Sequence, residues 1–301
     1  MNSKESDKIA ILKGGISDEQ EISKLTADQV FATLSKKYTT KIINVDEDCI
    51  KLISDLKKFQ PDKVFNCLHG FFGEDGQVQS ILNYLKIPYT HSGVLASSLA
   101  MNKITSKLVY ESIGVRCPKT IHLGNKKKIE KFPVIIKPTC GGSSNGLRKI
   151  KNIHEFENVQ KKSDTRSLMI EEFIEGREIT VGVLDNKICG IMEIIFDSDV
   201  YDFENKYINI ATHLINPKLP KKIKKKLEDY SLRAHKTLQC NCLSRLDFKY
   251  SEKLNEIFLL EINTQPGLTK DSLLPEMAKK KGISFFKLCE IILNNALCEI
   301  T

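Results

Sequence analysis

No stretch of the 301-residue chain approaches the roughly 18–20 uninterrupted apolar residues that a membrane span requires. The opening residues, MNSKESDK, are polar where a secretory leader carries an apolar segment. The expected setting is therefore the cytoplasm, with no membrane partner. The nine cysteines include no CxxC pair and no Cys/His cluster at zinc-like spacing, which excludes a zinc finger and reads as reduced thiols. A Walker loop, a GxGxxG fingerprint, an internal repeat and a low-complexity linker are all missing. The net charge of +8 is spread over short Lys-rich runs, at 126–128, 221–226 and 279–281, without aromatic platforms. Such runs read as solvated surface with some attraction for small polyanions rather than as a nucleic-acid interface.

A hydrophobic content of 41% is enough to build packed cores. Lys8 to Leu12 is a short apolar run that breaks at Gly14-Gly15, as a buried strand does on entering a loop. Ser17 is the expected N-cap of a helix reaching Ser35, with Ile22, Leu25, Val30 and Leu34 at helical spacing. Strands are expected at 41–45 and 63–68, with a helix at 49–59 between them, which makes a first α/β unit. A helix-rich stretch from Ser92 leads to a strand at 132–137 and the polar run 139–146. Further strands are expected at 168–173, 178–184, 187–195, 244–250 and 257–262. The expectation is an α/β and α+β chain of three packed lobes, residues 1–90, 91–177 and 178–301.

The two C-terminal strands carry the most chemistry. Strand alternation puts Arg245 and Asp247 on one face, and Glu261 and Asn263 likewise, so neighbouring strands can converge four polar groups. Asp, Glu and Asn oxygens suit magnesium shared with phosphates. Either strand alone reads equally well as a wet surface strand. Lys137 followed by Gly141-Gly142-Ser143-Ser144-Asn145-Gly146 can fold over phosphates, because glycines let backbone N–H groups approach closely; alone it is also simply a flexible turn.

In order and spacing, four segments together resemble the D-alanine–D-alanine ligase branch of the ATP-grasp enzymes. They are His69-Gly70-Phe71-Phe72-Gly73-Glu74-Asp75-Gly76, Lys137-Pro138 with Gly142-Ser143-Ser144, Tyr201 to Tyr207, and Leu260 to Thr269. The resemblance implies an ATP-grasp fold with the nucleotide between the central and C-terminal lobes. It also implies ligation of two D-alanines through an acyl phosphate, supplying cell-wall peptidoglycan. The implied cofactors are ATP and two magnesium ions, with manganese able to substitute, and the implied assembly is a homodimer. Lys103 and Lys137 correspond to phosphate-binding lysines; Glu171, Glu172, Phe173 and Ile174 to the adenine-holding hinge; Glu178 to the ribose acceptor. Asp247, Glu261 and Asn263 correspond to the metal ligands, while Arg245 and the Gly267 backbone stabilise developing charge. Glu21 matches the acid that meets the first substrate's ammonium, although alone it reads as an exposed helix charge. Ser143 and Tyr207 match its hydrogen-bonding partners, Tyr207 alone reading as a packing residue, and Lys206 the group that reaches the γ-phosphate. Ser272 and Leu273 match the helix start that takes the second substrate's carboxylate, and His69 is placed near that substrate, although a lone His in a turn is usually only solvated.

The chain departs from the family pattern at Asn102, where an acid is usual, at Gly141, where many relatives have Glu, and across 208–220. Ligases that make D-alanyl-D-lactate carry His at the position of Tyr207, so a Tyr favours the dipeptide. Another carboxylate–amine ligase of the same superfamily is the alternative enzyme. A nucleotide- or nucleic-acid-binding protein is the alternative of a different class, but such a protein has no need of Arg245, Asp247, Glu261 and Asn263 together.

Overall fold

The computed structural model describes residues 7–121, 129, 131–142, 146–162, 167–196, 211–269 and 272–300. Strands β1 (Lys8–Gly14), β2 (Thr39–Val45) and β3 (Lys63–Asn66) form a parallel sheet of order β2-β1-β3. Four consecutive residues of β1, Ile9 to Leu12, are fully buried because helices cover both faces of the sheet. Helix α1 (Gln20–Leu34) packs Ala27, Val30 and Leu34 on Ile9 and Ile11. Helices α2 (Cys49–Phe59) and α3 (Gln77–Tyr84) pack Leu52, Leu56, Val78 and Leu82 on the alternate residues Ala10 and Leu12.

Helix α1 starts two residues later than its sequence pattern suggests, and Leu25 lies on its exposed side. Ser17 does not cap the helix. Its hydroxyl accepts from the Glu19 amide at 3.2 Å and donates to the His69 carbonyl at 2.6 Å, fastening the loop after β1 to the loop after β3.

Strands β4 (Val134–Pro138), β5 (Arg148–Ile150) and β6 (Leu168–Glu172) make an antiparallel sheet of order β5-β4-β6. Helix α6 (Ile153–Lys162) covers it through Phe156, against Val134, Ile136, Ile150 and Ile170. Strands β7 (Arg177–Leu184), β8 (Lys187–Ile195), β9 (Thr212–Ile215), β10 (Leu243–Ser251) and β11 (Glu256–Asn263) form an antiparallel sheet of order β11-β10-β7-β8-β9.

That five-stranded sheet is the platform for the rest. On one face lie α4 (Val94–Met101), α5 (Lys103–Ser112) and α7 (Lys221–Thr237). Helix α7 buries Ile223, Leu227, Tyr230 and Ala234 at helical spacing, against a core that also holds Ala100, Tyr110, Ile179, Leu246 and Ile262. On the other face lie α8 (Leu273–Lys280) and α9 (Phe285–Asn294), whose Leu274, Met277, Leu288 and Ile292 share one core with Ile9, Ile11 and Val30 of the first sheet. Close approach of α8 requires glycine beneath it: a Cβ on Gly182 would sit 2.8 Å from both Leu274 Cδ1 and Met277 Sδ. The last described residues are tied to the first lobe, since Tyr89 and Leu297 exchange backbone hydrogen bonds of 3.0 and 3.1 Å. Among the described residues no helix is long and apolar enough to cross a membrane.

Candidate active site

Antiparallel pairing of β10 with β11 sets Arg245 opposite Asn263 and Asp247 opposite Glu261. The side chains converge as alternation requires. Arg245 donates to both Asp247 oxygens, at 3.1 and 2.8 Å, and the Asn263 amide donates to Asp247 Oδ2 at 3.0 Å. From β7 the Thr180 hydroxyl donates to Asp247 Oδ1 at 2.7 Å, so this carboxylate is fixed from three directions. Lys103 Nζ stands 3.8 Å from Glu261 Oε2.

Asp247 and Glu261 form part of the wall of a cleft of about 850 Å3, counted to its open mouth, between this sheet and the β5-β4-β6 sheet. The opposite wall carries Lys137 of β4 and the strand-to-loop run Glu171, Glu172, Phe173 and Ile174 after β6. The sequence assignments of Lys103, Lys137 and Glu178 therefore fall in one cavity with the hinge and the acid set. Lys103 is the first residue of α5. Asn102, the departure from the family's acid, caps that helix by accepting from the amides of Ile104 and Thr105 at 3.2 and 3.0 Å. Gly141, the second departure, holds a φ of +113°, and its carbonyl accepts from Lys103 Nζ at 2.6 Å.

Glu171 is more than a hinge residue. Its side chain is buried, with Oε1 2.6 Å from Lys137 Nζ and Oε2 2.6 Å from Lys107 Nζ. Burial pushes its pKa up, but the two ammonium groups outweigh that and hold it below the usual glutamate value. Glu172 is engaged differently: its carboxylate accepts from the Lys119 amide at 2.8 Å, which pins the strand entering the hinge.

A second cavity opens between the loop after β1, the loop after β3 and the glycine segment after β4. The structure corrects one assignment here. Glu21 points to solvent on α1 and pairs with Lys24 at 2.6 Å, three residues along the same helix. Glu19 is the acid that lines the cavity: a Cβ on either Gly70 or Gly142 would fall 2.8 Å from its Oε2. The two acids lie two residues apart, and where α1 begins decides which one faces inward.

A smaller cavity joins these two through Glu74, Lys103, Gly141, Glu261 and Asn263. His69 lies behind it, buried, with Nδ1 3.1 Å from Glu74 Oε1 and Nε2 3.4 Å from Thr26 Oγ1. It is thus buried rather than solvated, and the Glu74 that it braces lines the space. Burial raises the Glu74 pKa against the opposing pull of His69. On the other side Thr269 and Ser272 bond each other at 2.7 Å at the start of α8 beside Gly267. The Leu273 side chain belongs to the core, so only its backbone amide is available to a ligand. Asn66 ties this turn to the first lobe, its amide donating to Gln265 Oε1 at 2.9 Å and to the Gly73 carbonyl at 3.0 Å. Ser143, Lys206 and Tyr207 lie outside the described residues. Glu19, Glu74, Lys107 and Lys249 are the members that sequence reasoning missed. Glu74 had a signal in the HGxxGEDG segment, and Lys249 had one in strand alternation with Arg245 and Asp247.

Among the described residues no cluster of three or more His, Cys, Asp or Glu side chains is placed to hold a metal. The set here is two carboxylates and an amide, and that chemistry fits a hard cation that completes its shell with phosphate and water.

A family model described as the D-ala D-ala ligase C-terminus matches residues 117–294. The D-alanine–D-alanine ligase of Pelagibacter ubique is 44% identical, over 96% of this chain and 98% of that protein. The corresponding ligase of Bartonella tribocorum is 39% identical, over 96% and 98%. Among solved structures, the D-alanine–D-alanine ligase of Bacillus anthracis complexed with ATP superimposes with a TM-score of 0.83 at 29% identity, over 96% of this chain and 97% of that one. The enzyme from Coxiella burnetii gives 0.79 at 27% identity, over 97% and 94%.

Proposed function

The chain belongs to the D-alanine–D-alanine ligase family, and from that premise we propose the division of labour by which its residues join two D-alanines at the expense of ATP, for peptidoglycan synthesis. The observation that carries the reading is the convergence of Arg245 and Asn263 on Asp247, which with Glu261 lines a cleft that also holds Lys103 and Lys137. A site of this kind neutralises a transferring phosphoryl group by position and charge rather than by covalent chemistry.

Phe173 and Ile174 hold the base, Glu178 the ribose, and Lys103 and Lys137 the phosphates. Asp247, Glu261 and Asn263 would hold two magnesium ions, or manganese in their place. Bound there, the metal neutralises phosphate charge. Arg245 already lies on the same face as these ligands, where it meets charge that develops on the γ-phosphoryl group as the first D-alanine's carboxylate attacks. That attack releases ADP and leaves an acyl phosphate. The second D-alanine's neutral amine then attacks the acyl carbon, the C–O bond to phosphate breaks, and the proton that the amine loses leaves with the departing phosphate.

Glu19, in the cavity between the two loops and the glycine segment, takes the first substrate's ammonium. The helix start at Ser272 and Leu273, with the Gly267 backbone, receives the second carboxylate and the oxyanion. Lys206, Tyr207 and Ser143 take the roles that the family pattern gives them at the γ-phosphate and around the acid. The lobes divide near residues 90 and 178, the assembly is a homodimer, and the setting is the cytoplasm.

The test is ATP-dependent phosphate release with D-alanine, with L-alanine, and with D-alanine plus D-lactate, followed by product analysis. D-alanine alone should give the dipeptide and inorganic phosphate. Release that is equal with L-alanine, or a depsipeptide as the main product, overturns the reading.

A further inference from the structure

Three lysines line the nucleotide cleft, and only two of them have a part in the ligation as described. The third, Lys249, lies on β10 in alternation with Arg245 and Asp247, so all three present to the same face. Its cross-strand partner on β7 is Glu178. The two side chains meet in the cleft, Lys249 Nζ lying 2.8 Å from Glu178 Oε2, with each side chain about nine-tenths covered. On its other side the ammonium stands 5.4 Å from the centre of the Phe196 ring. Together the acid and the ring fix its position.

A purely structural ion pair at this depth has little to recommend it. Desolvating both charges costs about as much as their attraction returns, and apolar side chains would serve a wall equally well. Lys107 shows what a structural lysine looks like in this protein: it is 2% exposed and stands behind Glu171 without lining the cleft. Lys249 opens onto the cleft beside the acid expected to take the sugar. After meeting one another, a carboxylate keeps further lone pairs and an ammonium keeps further donors.

We propose that Lys249 is a specificity-determining residue for the nucleotide, forming with Glu178 a two-sided clamp on the ribose diol. Glu178 accepts the proton of one hydroxyl, and Lys249 donates to the oxygen of the other. The clamp rests on the ligase reading above, because that reading supplies the nucleotide. It adds a selection for ribonucleoside over deoxyribonucleoside triphosphates, since a site that spends a donor on a hydroxyl leaves the donor unpaired when the hydroxyl is missing.

The test is calorimetric titration of the parent protein and of Lys249→Met and Lys249→Gln with ATP, 2′-deoxy-ATP and 3′-deoxy-ATP, with magnesium and without D-alanine. The parent should prefer ATP over one of the deoxy forms by about 10-fold, and both variants should bring that ratio to within about 2-fold by weakening ATP alone. Lys249→Arg should recover part of the preference. Equal weakening of all three nucleotides, or an unchanged ratio, overturns the clamp and leaves the ligase reading standing. A parent protein that binds no ATP overturns both.

Discussion

Lys137 and Lys107 share a single carboxylate: one ammonium lies 2.6 Å from Oε1 of Glu171 and the other 2.6 Å from Oε2. The pair of lysines carries one more positive charge than the acid removes, and the surplus is presented on the Lys137 side, where the cleft lies. The backing residue Lys107 is 2% exposed, so the arrangement is rigid and nearly dry.

Glu171→Gln should therefore cost about 3–5 kcal/mol of unfolding free energy, because it strands two buried ammonium groups. Lys107→Met should cost less, as Glu171 and Lys137 remain paired. The depressed Glu171 pKa means that this stabilisation is complete above its unfolded value near 4.5 and is lost as pH falls through the lower folded value. Urea titrations at pH 7 and pH 4 check both statements. A Glu171→Gln protein within about 1 kcal/mol of the parent at pH 7 would show that the triad is not stabilising.

The two acids at the start of α1 should separate cleanly in kinetics. Glu19→Ala should lower kcat/KM for D-alanine by about 100-fold or more, the usual cost of removing one member of a buried charge pair. Glu21→Ala should stay within about 2-fold, since its side chain pairs with Lys24 on an exposed helix face. A D-alanine-dependent phosphate assay reads both, and the reverse ranking would return the role to Glu21.

Glu261→Ala and Asn263→Ala should abolish turnover while leaving the thermal midpoint within a few degrees. Neither residue carries the core, and the Lys103 ion pair of Glu261 is long, at 3.8 Å. Near-parental turnover of Glu261→Ala at saturating magnesium would remove the residue from the metal set.

Acid sensitivity should begin well above the carboxylate range. His91 is fully buried, its Nε2 has no partner among the described residues, and desolvation lowers its pKa from 6.5 to about 3. The unfolded chain takes up this proton below pH 6.5 while the folded protein does not. His91 thus favours the native state above pH 6.5, and stability declines by up to about 1.4 kcal/mol per pH unit from there down to about pH 3. His91→Gln should flatten the slope of unfolding free energy between pH 6.5 and 4.5. A slope equal to the parent's would assign the effect elsewhere.

Most strands were legible because each is a short β-rich run ending in glycine or a polar turn, and their bounds differ from the expected ones by one or two residues at most ends; the short edge strands β5 and β9 were not expected, being only three and four residues long. Arg245, Asp247, Glu261 and Asn263 were legible for the same reason, since alternation and adjacent pairing leave little freedom. The phase of a helix start was not. Ser17 reads as a cap, but its hydroxyl is taken by the His69 carbonyl, a partner 52 residues away. Helix α1 begins two residues further on, and Glu19, not the Glu21 matched to the family pattern, is the acid that lines the cavity. Lys107 was illegible for another reason: a lysine in sequence looks solvated, and only Glu171, brought beside it from a different element, makes its burial tolerable.

The helix α9 that completes the first lobe's core has a consequence for synthesis on the ribosome. From Asn66 at the end of β3 to Phe285 at the start of α9 there are 219 positions. At ordinary elongation rates that is roughly 10–45 s. Throughout this interval α1 and β1 have emerged, but the Leu288 and Ile292 that cover part of their apolar surface have not been made. The first-made lobe is thus the last to be finished, and until α9 arrives its Ile9, Ile11 and Val30 offer a greasy face to any chaperone or neighbouring nascent chain.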